Sequence, residues 1–327
     1  MGPPELAAQA ANPSFLVLHP GGRRLYGVME LAEYDGGPGG AVAGWELDPE
    51  TGALQAINAE SSGGMHPCHL TLDAKGRWVL VANYSSGNLA VLPVREDGSL
   101  GSVWQMVQHV GSGVHPQRQK GPHAHSLQLD AANRFAVAAD LGLDRLMMYR
   151  FEPATGSLEA QEPPFAVMPP GSGPRHTAFH PRGRHLLAIN ELNSTLTLFR
   201  YDRRRGILEA AHTVKTIPDS FEGSSSTAEV RVHPSGRWVY GSNRGHDSLA
   251  VFRVDTRRDR LELVEWVAAG GRTPRHFAID PGGRWLVAAH QGSDSVSVFR
   301  IDPRSGRLTA TGGQITVGSP VCVLFVP

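Results

Sequence analysis

The chain has 327 residues, 40% of them hydrophobic, and its 31 basic and 31 acidic side chains cancel to a formal net charge of +0. That much apolar content supports a packed core and excludes a disordered chain, and the lack of a basic excess argues against a nucleic-acid partner. No run of about 18 apolar residues is present to span a membrane, and residues 1–13 lack the basic start and apolar run of a signal peptide, so a cytoplasmic protein with no membrane partner is expected. Cys68 and Cys322 are the only cysteines; two cysteines make neither a disulfide framework nor a zinc site, and both are read as reduced thiols.

One phrase recurs along the chain: HPGGRRLYGVME from His19, DAKGRWVLVANY from Asp73, DAANRFAVAADL from Asp130, HPRGRHLLAINE from His180, HPSGRWVYGSNR from His233 and DPGGRWLVAAHQ from Asp280. Its shared arginines, Arg23, Arg77, Arg134, Arg184, Arg237 and Arg284, are spaced by 54, 57, 50, 53 and 47 residues. That is the period of four-stranded propeller blades. Asp or His, then Pro, then Gly two positions on suits a type I turn between two strands, and Asn133 is the residue best able to replace Gly there. A third strand follows in most copies (NLAVLPV, RLMMYRF, LTLFRY, SLAVFRV, SVSVFRI), then a turn at Asp97-Gly98, Thr155-Gly156 or Ser305-Gly306 and a less regular fourth strand. No amphipathic helix is evident, so the chain is predicted to be all-β, a single β-propeller domain over residues 1–327.

Six units are complete. A seventh strand set is predicted to open at Ser319 with PVCVLFVP, and residues 3–12 supply at most one outer strand. The expectation is a seven-bladed β-propeller of four-stranded blades whose closing blade is incomplete at the N-terminus, leaving exposed edges that invite pairing.

The repeats act as internal controls. The alternation of His19, His180 and His233 with Asp73, Asp130 and Asp280 at one place reads as turn chemistry, and Trp78, Trp238 and Trp285 read as packing between blades. Five residues before each turn the series is Ser14, Cys68, His125, Arg175, Ala228 and Arg275, a chemically diverse column that strand alternation would place on one face. Seven residues after each shared arginine it is Glu30, Tyr84, Leu141, Glu191, Arg244 and Gln291. The column before that, Met29, Asn83, Asp140, Asn190, Asn243 and His290, repeats Asn and Asp and is partly a turn device. In a meander the loop entering the first strand and the loop after the second lie at the same end. His66, His69, His123, His125, Arg175, His176, Glu191, Arg244, Arg275 and His276 are therefore expected at one mouth.

Guanidinium groups there suit a carboxylate or phosphate, and Glu191 and His125 are groups that can move protons. The bland alternative is an Arg–Glu pair that only satisfies itself. His66-x-x-His69 and His123-x-His125 look like ligand pairs, but neither has the spacing of a zinc motif, and no metal is assigned. No nucleophile elbow, P-loop or dinucleotide fingerprint is present.

The phrases GPHAHSLQLD, GSGPRHTAFHP, INELNSTLTLFRY, AEVRVHPSGRWVYGSNRGHDSLAVF and TPRHFAIDPGGRWLVAAHQGSDSVSVF resemble the seven-bladed propeller lactonase family, from about Asn12 to the C-terminus. The named activity of that family is the bacterial propeller-type 6-phosphogluconolactonase. It is also similar to the fungal-type carboxy-muconate cycloisomerases, which use a His, two Arg and a Glu. Matched motif by motif, these fall on His125, Arg175, Glu191 and Arg244. The family pattern starts with an extra strand–turn–strand that this sequence lacks.

The resemblance implies hydrolysis of a sugar δ-lactone, 6-phosphoglucono-1,5-lactone first, in the pentose phosphate pathway. The catalytic set is expected to be His125, Arg175, Glu191 and Arg244, with His66, His69, His123, His176, Asn190, Asn243, Arg275 and His276 binding substrate. No cofactor is implied, the partner is a small sugar lactone, and a monomer or weak homo-oligomer is expected. A different lactone, a cycloisomerase reaction, and a non-catalytic binding propeller stand as alternatives; the Trp-Asp phrases of scaffold propellers are absent.

Overall fold

A computed structural model describes residues 2–326. Among them the chain forms six four-stranded antiparallel sheets and one two-stranded hairpin, Glu33–Tyr34 with Gly37–Pro38, and no helix. The architecture is that of an all-β propeller with four-stranded blades. No helix is long and apolar enough to cross a membrane. The chain divides into two compact units, one of residues 5–173 holding the first three sheets, the other of residues 174–325 holding the last three.

Each sheet is a meander whose strands pair in chain order. The first strands are Pro13–Leu18, Pro67–Leu72, Ala124–Leu129, Pro174–Phe179, Ser226–Val232 and Pro274–Ile279. The second strands are Arg24–Met29, Trp78–Asn83, Phe135–Asp140, His185–Asn190, Trp238–Arg244 and Trp285–His290. The recurrent phrase supplies the turn between them. Its fourth position has φ between +56 and +72 in all six copies, at Gly22, Gly76, Asn133, Gly183, Gly236 and Gly283, and donates its N–H to the carbonyl of the first. Gly and Asn tolerate that left-handed backbone best.

The two first-position residue types do different work. Asp73, Asp130 and Asp280 accept backbone N–H groups of their own turn. His180 and His233 do this through Nδ1 and also donate Nε2–H to the carbonyls of Gly236 and Gly283, in the next sheet. Burial holds His180 below the ordinary imidazole range, which leaves it neutral with one proton for that bond.

Within each unit, consecutive sheets pack face to face. In the second strand of the fifth sheet, Val239 faces Leu187, Ile189 and Leu198 of the fourth, while Trp238 and Tyr240 face Phe277, Leu286 and Phe299 of the sixth. Burying each large side chain contributes about 1.5–3 kcal/mol. Trp78 and Trp238 pack between blades: a Cβ at Gly156 or Gly306 of the following sheet would strike their rings.

Among the described residues, neither the seventh strand set expected from Ser319 nor the outer strand expected within residues 3–12 forms. A strand needs an edge to pair with. The Val323 N–H instead donates to His276 Nδ1 at 3.1 Å, a side-chain bond in place of a ladder bond. Ala8 and Ala10 pack on the cluster of Met29, Ala41, Ala43 and Trp45 without joining a sheet.

Tyr240 is wholly buried, and its hydroxyl donates to the Gly306 carbonyl of the next sheet at 2.9 Å; Tyr26 does the same to Gly98 at 2.8 Å. Tyr240→Phe strands a buried carbonyl and is expected to lower unfolding free energy by about 1–2 kcal/mol. Urea denaturation followed by tryptophan fluorescence checks this, with an unchanged midpoint counting against the bond.

Candidate active site

In every sheet the register between the first and second strands slips at the same place. In the fourth sheet Pro174 opposes Asn190 and His176 opposes Ile189, so Arg175 is an extra residue with no partner of its own. Ser14, Cys68, His125 and Arg275 hold the same place in their sheets. In the fifth sheet Ala228 and Glu229 together face Ser242. Strand alternation, the reason expected from sequence, does not set the direction of this column. A β-bulge does, by re-aiming the extra side chain.

In the unit of residues 174–325 the bulge brings Arg175, Glu191 and Arg244 together. Arg175 Nε lies 3.0 Å from Glu191 Oε2, an ion pair without hydrogen-bond alignment. Its Nη1 donates to the Ala228 carbonyl at 2.7 Å. Arg244 Nη2 lies 2.8 Å from the same Glu191 oxygen and donates to the Thr227 carbonyl at 2.7 Å. Arg175 and Glu191 are 2% and 3% exposed, whereas Arg244 and Arg275 are half-buried and reach solvent. Burial first, then the charges of Arg244 and Arg275, push the Arg175 pKa down to about 9 against the pull of Glu191 and Glu229.

A second carboxylate, Glu229, sits beside this set and is buried. Its Oε2 lies 2.9 Å from His176 Nδ1 and 3.1 Å from His276 Nε2, and its Oε1 lies 3.3 Å from Arg231 Nε and accepts the Val230 N–H. Arg175 Nη1 points its proton at His176 Nε2, 3.2 Å away. An arginine cannot accept, so Nε2 carries the lone pair and Nδ1 the proton. His276 is the reverse: Nδ1 accepts from Val323 N–H, so Nε2 donates to Glu229. Arg231 Nη2 lies 3.0 Å from that same Nε2, where two protonated nitrogens meet, and Glu229 is what holds it there.

The other unit places Cys68, Tyr84, His123 and His125 together. The Cys68 sulfur is 3.6 Å from His125 Nδ1. Tyr84 stacks on His123 at 4.5 Å and meets His125 edge-on at 5.3 Å, and its hydroxyl accepts from Arg118 at 3.1 Å. His66 pairs with Ser85 Oγ at 2.8 Å, and His69 packs on Phe15 and accepts the Leu127 N–H.

Asn190 and Asn243, expected to bind substrate, turn their amides into their own neighbourhood. Asn190 Nδ2 donates to Thr195 and Thr197, and Asn243 Nδ2 to the Thr216 carbonyl and Ser248. Asp140 likewise accepts the N–H groups of His123, Gly142 and Leu143. The column recurs because it braces the loop after the second strand. Sequence reasoning missed Glu229 and Arg231. The signal was the column one past the bulge (Phe15, His69, Ser126, His176, Glu229, His276), polar in five of six copies.

Burial holds His276 down to about 3, against Glu229, with Arg231, His176 and Arg175 adding to the depression. The folded chain therefore binds fewer protons here than the unfolded chain between the ordinary imidazole value and about pH 3, and stability falls as pH falls through that window. The slope from one such group is about 1.4 kcal/mol per pH unit. Thermal melts from pH 7 to 4 are expected to show this acid loss reduced in His276→Gln, and equal slopes for the two chains would contradict it.

The chain matches the description "Lactonase, 7-bladed beta-propeller" over residues 1–325. It is 36% identical to a 6-phosphogluconolactonase of Bacillus subtilis over 322 residues, 98% of this chain and 89% of that protein. It is 30% identical to a 6-phosphogluconolactonase of Formosa agariphila, covering 82% of this chain and 75% of the relative. Among solved structures, the periplasmic gluconolactonase PpgL of Pseudomonas aeruginosa is 38% identical with a TM-score of 0.91, covering 98% of this chain and 90% of that one. The family's description counts seven blades, where the described residues form six four-stranded sheets. On sequence and fold together, the chain belongs to the seven-bladed β-propeller lactonase family.

Proposed function

We propose that this lactonase opens a sugar δ-lactone, 6-phosphoglucono-1,5-lactone before others, as a step of the pentose phosphate pathway. It does so in the cytoplasm, as one domain, a monomer or weak homo-oligomer, and without a cofactor. The observation that carries the reading is the grip of Arg175 and Arg244 on one oxygen of Glu191, with Arg244 and Arg275 reaching solvent beside it. Arg175 is too buried to meet a sugar, so it anchors Glu191, and Arg244 and Arg275 face the substrate. Guanidinium groups fit both the phosphate and the carbonyl oxygen as it becomes an oxyanion.

Water attacks C1 of the lactone, and the carbonyl oxygen takes negative charge, which Arg244 or Arg275 stabilises. The C1–O5 bond then breaks, O5 takes a proton, and the new carboxylic acid ionises. Removal of the proton from water falls to Glu191, the group beside these guanidiniums able to accept one. The unphosphorylated glucono-δ-lactone is the second reading, favoured by the periplasmic relative named a gluconolactonase; it would also move the protein out of the cytoplasm.

The test is hydrolysis of freshly made 6-phosphoglucono-δ-lactone, corrected for spontaneous opening, beside glucono-δ-lactone. The expected result is rapid turnover, with the phosphorylated substrate preferred. Arg244→Ala should lower kcat/KM on the order of 100- to 1,000-fold, the size of one lost oxyanion donor. Turnover at the parent rate in both Arg244→Ala and Glu191→Gln would overturn the site.

A further inference from the structure

The Arg175–Glu191–Arg244 set has a support that neither the motifs nor the proposed chemistry uses. Glu229 is 1% exposed and lies one residue past the bulge position of the fifth sheet. A buried carboxylate costs stability unless it is paired and hydrogen-bonded, and Glu229 is paired on both oxygens. Its reach toward the site runs through one side chain: Glu229 Oε2 to His176 Nδ1 at 2.9 Å, then His176 Nε2 to Arg175 Nη1 at 3.2 Å. We infer that Glu229 is a positioning residue. It holds His176 in the Nδ1–H tautomer so that the Nε2 lone pair fixes the guanidinium of Arg175.

Two observations argue for a role beyond filling space. The first is directional. If His176 carried its proton on Nε2, an N–H would face the Arg175 N–H and both protons would be misplaced. The tautomer is set by the partner of the other ring nitrogen, and that partner is Glu229. The second is the arrangement at Arg175, which is held from two sides, by Glu191 at Nε and by His176 and the Ala228 carbonyl at Nη1. Releasing one side lets the guanidinium rotate, and Glu191 and Arg244 move with it. The same arrangement makes Glu229 a counter-charge to Arg175 and Arg231, so its loss leaves the cluster more positive.

This inference rests on the lactonase reading only for its kinetic arm. The first arm is nitrogen-15 NMR of histidine-labelled parent protein at neutral pH. The expected signature for His176 is a protonated Nδ1 and a bare Nε2; a proton on Nε2, or on both nitrogens, would overturn the inference whatever the substrate. The second arm is Glu229→Gln, in which the Nδ1–H proton resonance of His176 should move upfield as its acceptor loses charge. Its kcat should fall on the order of 10–100-fold, as for other carboxylates that orient a site histidine, with KM for the lactone little changed. A folded Glu229→Gln with parental kcat and an unmoved resonance would overturn it. Should that variant fail to fold, His176→Leu carries the kinetic arm, and parental kcat in it overturns the proposal equally. A parent protein that opens no lactone would sink the lactone reading, while the tautomer still decides the role of Glu229.

Discussion

One extra residue in the first strand of each sheet is the constraint on which the rest depends. The slip falls at the same place in all six sheets. On a regular strand the side chain at that place would be committed by alternation to one face of the pleat. The bulge releases it and leaves its backbone outside the ladder. The fold thus repeats a position where side-chain identity is not fixed by packing. Ser14, Cys68, His125, Arg175 and Arg275 occupy it, a chemically diverse set.

What the chain installs in the unit of residues 174–325 is an electrostatic arrangement that stability alone would not favour. Arg175 is buried with two other guanidinium groups acting on it, and its pKa is depressed for that reason. Burying such pairs costs more desolvation than apolar packing of the same volume would. Against Arg175, Arg231, Arg244 and Arg275 stand two buried carboxylates, Glu191 and Glu229. The proposed function places an anion here, and a sugar lactone bearing a phosphate, or the carboxylate formed on ring opening, is such an anion. His276 fits this scheme: burial keeps it neutral, so it adds a donor to Glu229 without adding a cation.

The repeat was legible in the sequence because turn chemistry is local. Asp or His, Pro and Gly at fixed offsets specify a turn whatever surrounds them, and the backbone angles at Gly22 through Gly283 agree. Arg175, Glu191 and Arg244 were legible because charge at a variable column stands out against its copies. The bulge was not, since register is a property of two strands and six residues of one strand look alike with or without it. Glu229 was hidden for the same reason: Ala228 holds the counted position, and the carboxylate lies one residue along. Asn190 and Asn243 carry a double signal, because a polar residue at the end of a strand serves a loop as readily as a ligand, and their Nδ2 groups serve the loop. The strand expected after Ser319 has the right residues, but Val323 gives its N–H to His276.

The central claim is that Arg244 and Arg275, backed by the buried Arg175–Glu191 pair, face the lactone. The most direct measurement is a crystal structure with the hydrolysis product, 6-phosphogluconate, bound. The account predicts a product carboxylate or phosphate oxygen within hydrogen-bond distance of the Arg244 or Arg275 guanidinium, with Arg175 still on Glu191. A product held elsewhere, touching neither Arg244 nor Arg275, would contradict it.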